Sequence, residues 1–399
     1  MSRALVIGAG VFGLSLAREL AGRGRSVHLV DPCPAGAGSG PSYADTRILR
    51  CAHGPDRFYA RSAWRARTLW RELEAETGER FLHPTGALLL ATGPDTGWER
   101  AGLDTLRDLG IPVEHVPAAA LPGRFPGFTA HDVSFAVHEP GGAVLAARTA
   151  MRALAASAAR RGVRTTVGTA VPDGDGARVD GRTYTADLVV WAVGPALPTL
   201  FPGLTGVVSE RQDSYWLTAR GPWATGGGPA WIDRSAEMYG VPALGGAATV
   251  KIVPDGVVPD AAHLVPYGVV PDPARLVPDG ATADPARLDA SAAAAELPAH
   301  ARRYVTTRFP ALAEAPVERR EECAYAWSPD EHFILDRLPG TRAGWLVGGD
   351  SGHGFKHGPA WARHVADVLD GTAEPLPRFA LRGAPAAPGA HREPPGEQS

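Results

Sequence analysis

The chain opens on an apolar run, Ala4 to Ile7, then "GAGVFG", then Leu14, Leu16, Ala17, Leu20 and Ala21 at helical spacing. A second apolar run, Val27 to Val30, ends on Asp31. Short apolar runs bounded by turn residues read as buried strands, and the helical period between them predicts a strand–turn–helix–strand unit. "DRFYARSAWRARTLWRELEAETG" (56–78) predicts an amphipathic helix with arginines on its polar side. "GALLLAT" then reads as a strand and "GLDTLRDLG" as a short helix. "VSFAVHEPGGAVLAARTAMRALAASAARRG" predicts a strand, a turn and a long helix. "VRTTVG" and "ARVDGRTYTADLVVWAVG" predict a hairpin and a very apolar strand ending at Gly194. "GWLVGGDSGHGFKHGPAWARHVADVLDG" is again strand, glycine loop and helix. Such βα units at both ends and in the middle predict an α/β fold, with a discontinuous nucleotide domain interrupted twice by a second, substrate-covering domain.

Two stretches fall outside this alternation. Residues 253–288 hold three consecutive 12-residue units, "VPDGVVPDAAHL", "VPYGVVPDPARL" and "VPDGATADPARL". Units this short cannot bury a face of their own as solenoid repeats do, so they read as a duplicated surface loop, a recruited binding element being the alternative. The tail from 383, "GAPAAPGAHREPPGEQS", is rich in Pro and Gly and is expected to be disordered.

Composition narrows the function classes. In 399 residues there are three cysteines, Cys33, Cys51 and Cys323, with no C-x-x-C pair and no zinc spacing, so no disulfide framework and no metal site is expected. The start lacks the features of a signal peptide, and no apolar run is long enough to span a bilayer, so the expectation is a cytoplasmic protein without membrane contact. A formal charge of -3 removes the electrostatic case for nucleic acid.

Gly8, Gly10 and Gly13 stand in G-x-G-x-x-G spacing between the first strand and helix. The first permits the tight turn, the second lets backbone approach a pyrophosphate, and the third lets helix and strand pack closely. The phosphates then face the free N–H groups of the helix N-terminus. Asp31 is placed to accept from a ribose hydroxyl. This motif does not distinguish FAD from NAD.

Three further strings, "YADTRILRCAHG" (43–54), "CAYAWSPDEHFILD" from Cys323 and "GGDSGHGFKHG" (348–358), join that turn in the same order as in a known family. Together they resemble the flavin amine oxidases of the monomeric sarcosine oxidase and N-methyltryptophan oxidase type, from the N-terminus to about residue 382. The resemblance implies a Rossmann-like FAD domain over 1–83, 139–206 and 326–382, and a mixed-sheet α+β substrate domain over 84–138 and 207–325. It implies FAD held covalently by a thioether from Cys323, with Arg47, one turn before Arg50 if this segment is helical, against the flavin ring. It assigns Arg50 and Lys356 to a substrate carboxylate, which suits a forked guanidinium and a point-charge ammonium. Lys251 matches the lysine that activates oxygen, while Tyr239 and Tyr325 match tyrosines that line the substrate cavity. The loop Gly352, His353 and Gly354, running on into Phe355 and Lys356, offers N–H groups and a positive helix end to the flavin pyrimidine.

The departures matter too. Asp255, inside the first repeat, stands where the sarcosine enzymes have a histidine; so does Tyr43, and Ala326 replaces a threonine. These changes predict a cavity unlike the sarcosine one. The implied activity is oxidation of a secondary, N-methyl or cyclic amino acid or amine. Hydride goes to flavin to leave an imine, and molecular oxygen is reduced to hydrogen peroxide. The alternatives are a specialised-metabolism dehydrogenase or oxidase of a cyclic imino acid or other tailored amine, and a non-catalytic flavin-binding protein. A monomer is the expected state.

Overall fold

The computed structural model describes residues 2–38, 40–254 and 296–382, with Arg211 described by its backbone alone. Val253 and Pro254 fall within this range, whereas Asp255, the rest of the repeats and the tail from 383 lie outside the described residues.

One sheet has six strands in the order 334–337, 344–348, 188–191, 3–7, 26–31 and 164–167. All its neighbours run parallel except the first pair. Its central strands are apolar on both sides, Leu188–Trp191 being buried throughout, as a parallel sheet covered on both faces requires. Helix Val11–Gly22 packs against helices Ala147–Arg160 and Gly358–Leu369, and helix Arg57–Thr77 lies across both of these partners. Asp56 starts that last helix by accepting from the Tyr59 amide at 3.0 Å, and Gly78 ends it in the left-handed conformation at φ 75°.

The second large sheet has eight strands in the order 317–327, 208–218, 249–254, 238–241, 230–233, 87–92, 133–139 and 114–117. Its pairs are antiparallel except 230–233 with 87–92. Its core is aromatic, with Trp223, Trp231, Phe128 and Phe309 in mutual ring contact. A small antiparallel sheet of 46–49, 143–146 and 82–83 carries Arg47, and a separate meander is built from 170–173, 176–179 and 182–184.

Three local readings change. Arg164–Val167 does not form a hairpin with its successor but adds a parallel edge to 26–31, and the hairpin forms between 176–179 and 182–184. An edge strand needs only one apolar neighbour, so "RTTV" can leave Val167 56% exposed. Ala143–Ala146 is a strand paired with 46–49 rather than part of the long helix. Arg47 therefore lies on a strand, with Arg50 just beyond its end.

Candidate active site

The glycine turn is built from local geometry. Gly8 sits at φ +102°, where a Cβ would fall 2.3 Å from the Ala192 carbonyl oxygen. A Cβ on Gly13 would lie 1.9 Å from the Gly8 carbonyl oxygen, so only glycine lets the helix come this close to the strand. Gly10 caps helix Val11–Gly22 without a side-chain bond, and the Val11 amide donates to Ser42 Oγ at 3.0 Å. Asp31 accepts from the Ala9 amide at 2.7 Å and the Cys33 amide at 2.8 Å. A carboxylate has about four acceptor positions. Two remain for a ligand hydroxyl.

From this turn a cleft runs past Ser42 and Arg47 to Tyr325, Asp350 and Phe355. The Arg47 guanidinium donates to the carbonyls of Thr46 and Pro41, reaches Cys323 Sγ at 3.6 Å, and stands 5.8 Å from the Tyr325 ring centre. Cys323 and Tyr325 come from strand Val317–Trp327; two residues apart on a strand, they share a face. Lys251 comes from the strand Thr249–Pro254 and is 3% exposed. Its Nζ donates to the Thr46 carbonyl at 3.4 Å and lies 5.2 Å from the Trp216 ring centre. Burial, seconded by the Arg47 guanidinium, holds its ammonium down to about 7, against the opposing pull of Glu321 and Cys323. The Tyr239 and Tyr325 hydroxyls interact, and burial pushes the Tyr325 phenol well up.

Arg50 and Lys356 meet on the other side. Lys356 is 4% exposed and donates to the His353 carbonyl at 2.8 Å. Burial drives its amine well below the usual lysine range, and the nearby Arg50 guanidinium adds to the effect. Arg50 donates to the Ala52 carbonyl and has its guanidinium 5.9 Å from the Trp98 ring centre. The glycine loop is tightly made: a Cβ on Gly354 would meet the Asp350 Cβ at 2.5 Å and the Phe12 ring at 2.8 Å. Ser351 at φ 44° takes the left-handed conformation, a strain that functional loops retain, and Gly352 follows at φ 72°, which glycine adopts freely. The loop passes through a 3-10 turn, Phe355–His357, before helix Gly358–Leu369 begins. Phe355 stacks on Trp70 with ring centres 5.8 Å apart and faces the Arg47 guanidinium at 6.0 Å.

Several site residues carried no signal in sequence. Asp350 lines the cleft within reach of Arg47 and Lys356, and burial raises its carboxyl to about 6. Glu139 is 2% exposed and accepts from the amides of Cys51 at 2.6 Å and Ala52 at 3.0 Å, fixing the chain just after Arg50. Two expected cavity changes are instead structural. The Tyr43 hydroxyl donates to the Ala9 carbonyl at 2.8 Å and accepts from Gly36, which ties down the glycine turn. Ala326 is fully buried, packed in one cluster with Leu5 and Ile7.

Comparison with known proteins finds similarity along most of the chain. The model of the DAO family, FAD dependent oxidoreductase, matches residues 3–368. Monomeric sarcosine oxidase of Bacillus sp. (strain B-0618) is 26% identical, covering 95% of this chain and 92% of its own. N-methyl-L-tryptophan oxidase of Yersinia pestis (strain Pestoides F) is 28% identical, covering 94% and 98%. Among solved structures, L-proline dehydrogenase from P. horikoshii superposes with a TM-score of 0.74 at 18% identity, covering 94% of this chain and 95% of its own. Iminodiacetate oxidase from Chelativorans sp. BNC1 gives 0.71 at 23%, covering 96% and 100%. At such identities these structures establish the fold alone.

Proposed function

Because the chain belongs to the DAO family of FAD-dependent oxidoreductases, we propose that it oxidises the C–N bond of a secondary amino acid, N-methyl or cyclic, with molecular oxygen reduced to hydrogen peroxide. The carrying observation is convergence from three separate strands: Arg47 and Tyr325 line the cleft that begins at the glycine turn, and Cys323 and Lys251 lie beside them, at the Arg47 guanidinium and the Thr46 carbonyl. The glycine cradle and the spare acceptor positions of Asp31 fit the pyrophosphate and ribose of FAD. When bound, FAD supplies the two-electron acceptor that no side chain can provide.

In this reading the chain's own groups bind, orient and tune. Arg50 and Lys356 hold the substrate carboxylate. An arriving carboxylate restores the proton that burial discourages on Lys356, since an opposite charge favours the charged form. The surroundings that press Lys251 and Lys356 towards neutral amines press a substrate amine the same way. Neutral amine is the form that can release a hydride. Lys251 supplies the cation beside which negative charge develops on oxygen. Cys323, beside Arg47, is the proposed point of covalent attachment.

The test is spectroscopic. Purified protein should be yellow, and N-methyl or cyclic amino acids should bleach it without oxygen, the colour returning with peroxide when air is admitted. Bleaching by none of a broad panel of secondary amino acids would remove this reading.

A further inference from the structure

Three histidines meet beside Lys356: His53 on the loop after Arg50, and His353 and His357 at either end of the turn that carries the lysine. One nitrogen of each ring lies within 4.8 Å of one nitrogen of each of the others, and the ring centres are 5.3 to 5.9 Å apart. Each ring has one nitrogen with a partner and one buried nitrogen without. His53 Nδ1 faces the Cys51 carbonyl at 3.0 Å, His353 Nε2 the Glu331 carbonyl at 3.1 Å, and His357 Nδ1 the Ser62 hydroxyl at 2.9 Å. His53 Nε2, His353 Nδ1 and His357 Nε2 have none.

The partners decide the tautomers. A carbonyl can only accept, so His53 carries its proton on Nδ1 and His353 on Nε2, leaving a lone pair on each opposite nitrogen. The Ser62 hydroxyl can donate or accept; with the His357 proton on Nδ1 it accepts, and His357 Nε2 then presents the third lone pair. Protonation could quench these acceptors, but burial, aided by Lys356, holds all three rings well below the usual histidine range. A single water has two hydrogens for three acceptors. A metal ion satisfies all three.

We propose that His53, His353 and His357 form a site for one divalent first-row transition metal ion of the zinc class, bracing the loop after Arg50 against the turn that carries Lys356. Three imidazoles suit zinc, copper or nickel and lack the oxygen donors that magnesium or calcium require. Zinc–nitrogen bonds of about 2.0–2.1 Å in a tetrahedron put the nitrogens about 3.4 Å apart, so the set draws in from its present spacing of up to 4.8 Å to close on the ion. Outer bonds to two carbonyls and a hydroxyl are the arrangement that orients ligating histidines. Around them lies an apolar shell, Phe333 stacking on His353 at 4.9 Å and Tyr59 meeting it edge-on at 4.8 Å. The cost is charge, because Lys356 and Arg50 repel a dication as they repel a proton. Glu139 and Asp350, which lie in the same field, offset part of it.

The site does not depend on the substrate proposed above, and its test needs no turnover. The flavin-loaded protein, stripped with chelator and dialysed against micromolar zinc, should retain about one zinc per chain by elemental analysis. His357→Phe and His53→Phe should abolish retention, and His131→Gln, a change at an exposed surface histidine, should leave it intact. If the phenylalanine variants fail to fold, Ser62→Ala provides the second arm. Losing this outer bond should weaken zinc binding about 10–100-fold without touching a ligand. Cobalt in place of zinc should add absorption to the red of the flavin bands in the wild type alone. No zinc held by the wild type, or equal retention by His357→Phe, overturns the proposal and leaves bridging water as the occupant.

Discussion

At residue 251 a lysine that is 3% exposed beside an arginine is an expensive placement, and its value lies in the charge it can carry. With the ammonium held down to about 7, the cation is present below that pH and lost above it. The rate of recolouring by oxygen should therefore fall as pH rises through this range, and Lys251→Met should flatten the profile. A preorganised charge of this kind is worth roughly 3 kcal/mol, so the variant should recolour about a hundredfold more slowly while anaerobic bleaching changes little. Stopped-flow of the two half-reactions separates the cases, and equal slowing of both would give Lys251 a different role. Arg50 and Lys356 make a parallel prediction about binding. Removing one partner of a desolvated charge pair costs about 2–5 kcal/mol. Arg50→Ala or Lys356→Ala should weaken carboxylate-bearing amines by that amount and amines lacking the carboxylate hardly at all. Titration of the flavin spectrum with both kinds of ligand measures the difference; equal losses would mean that the carboxylate is read elsewhere.

Elements were legible in proportion to how local their causes are. The strand, glycine turn and helix at the N-terminus follow from residues within one short segment, and they stand where the pattern put them. Gly13→Ala should test that unit, because its new methyl falls on the Gly8 carbonyl and overpacking of this sort costs about 1–3 kcal/mol. The expected result is a lower flavin-to-protein absorbance ratio and a lower thermal midpoint. Gly123→Ala, where a Cβ meets nothing within 4 Å, should keep both. A Gly13→Ala protein with full flavin content would show that the helix can move aside. What escaped the pattern depends on distant chain. Spacing alone left Arg47 open to a helical reading until strand Ala143–Ala146 arrived to pair with it. Glu139 looks like an ordinary surface acid until it is seen accepting the amides after Arg50. His353 and His357 stand at a helix-like spacing of four, yet their third member is 300 residues upstream at His53. No zinc spacing announces such a set.

Across the whole molecule the site draws on both large sheets. Gly8 and Asp31 belong to the turns of the six-stranded sheet, while Lys251, Cys323 and Tyr325 belong to the eight-stranded one. A group seated between them is lost when either sheet unfolds, so its binding free energy adds to the stability of the whole fold. The covalent attachment proposed at Cys323 would change how that linkage reads out. A tethered flavin would always be present at its site, so under that proposal the thermal midpoint of the wild type should not respond to added FAD. In Cys323→Ala the tether is gone, and stability should rise with free FAD, by about 2.7 kcal/mol at a hundred times the dissociation constant. Acid precipitation gives the companion measurement: colour should stay with the wild-type pellet and pass to the supernatant of Cys323→Ala. The neighbouring Arg47 remains in the variant, so loss of the thiol alone should leave a flavin site that is intact but exchangeable. Flavin released in full from the acid-precipitated wild type, together with a midpoint that climbs with added FAD in both proteins, would make Cys323 an unmodified thiol beside an arginine.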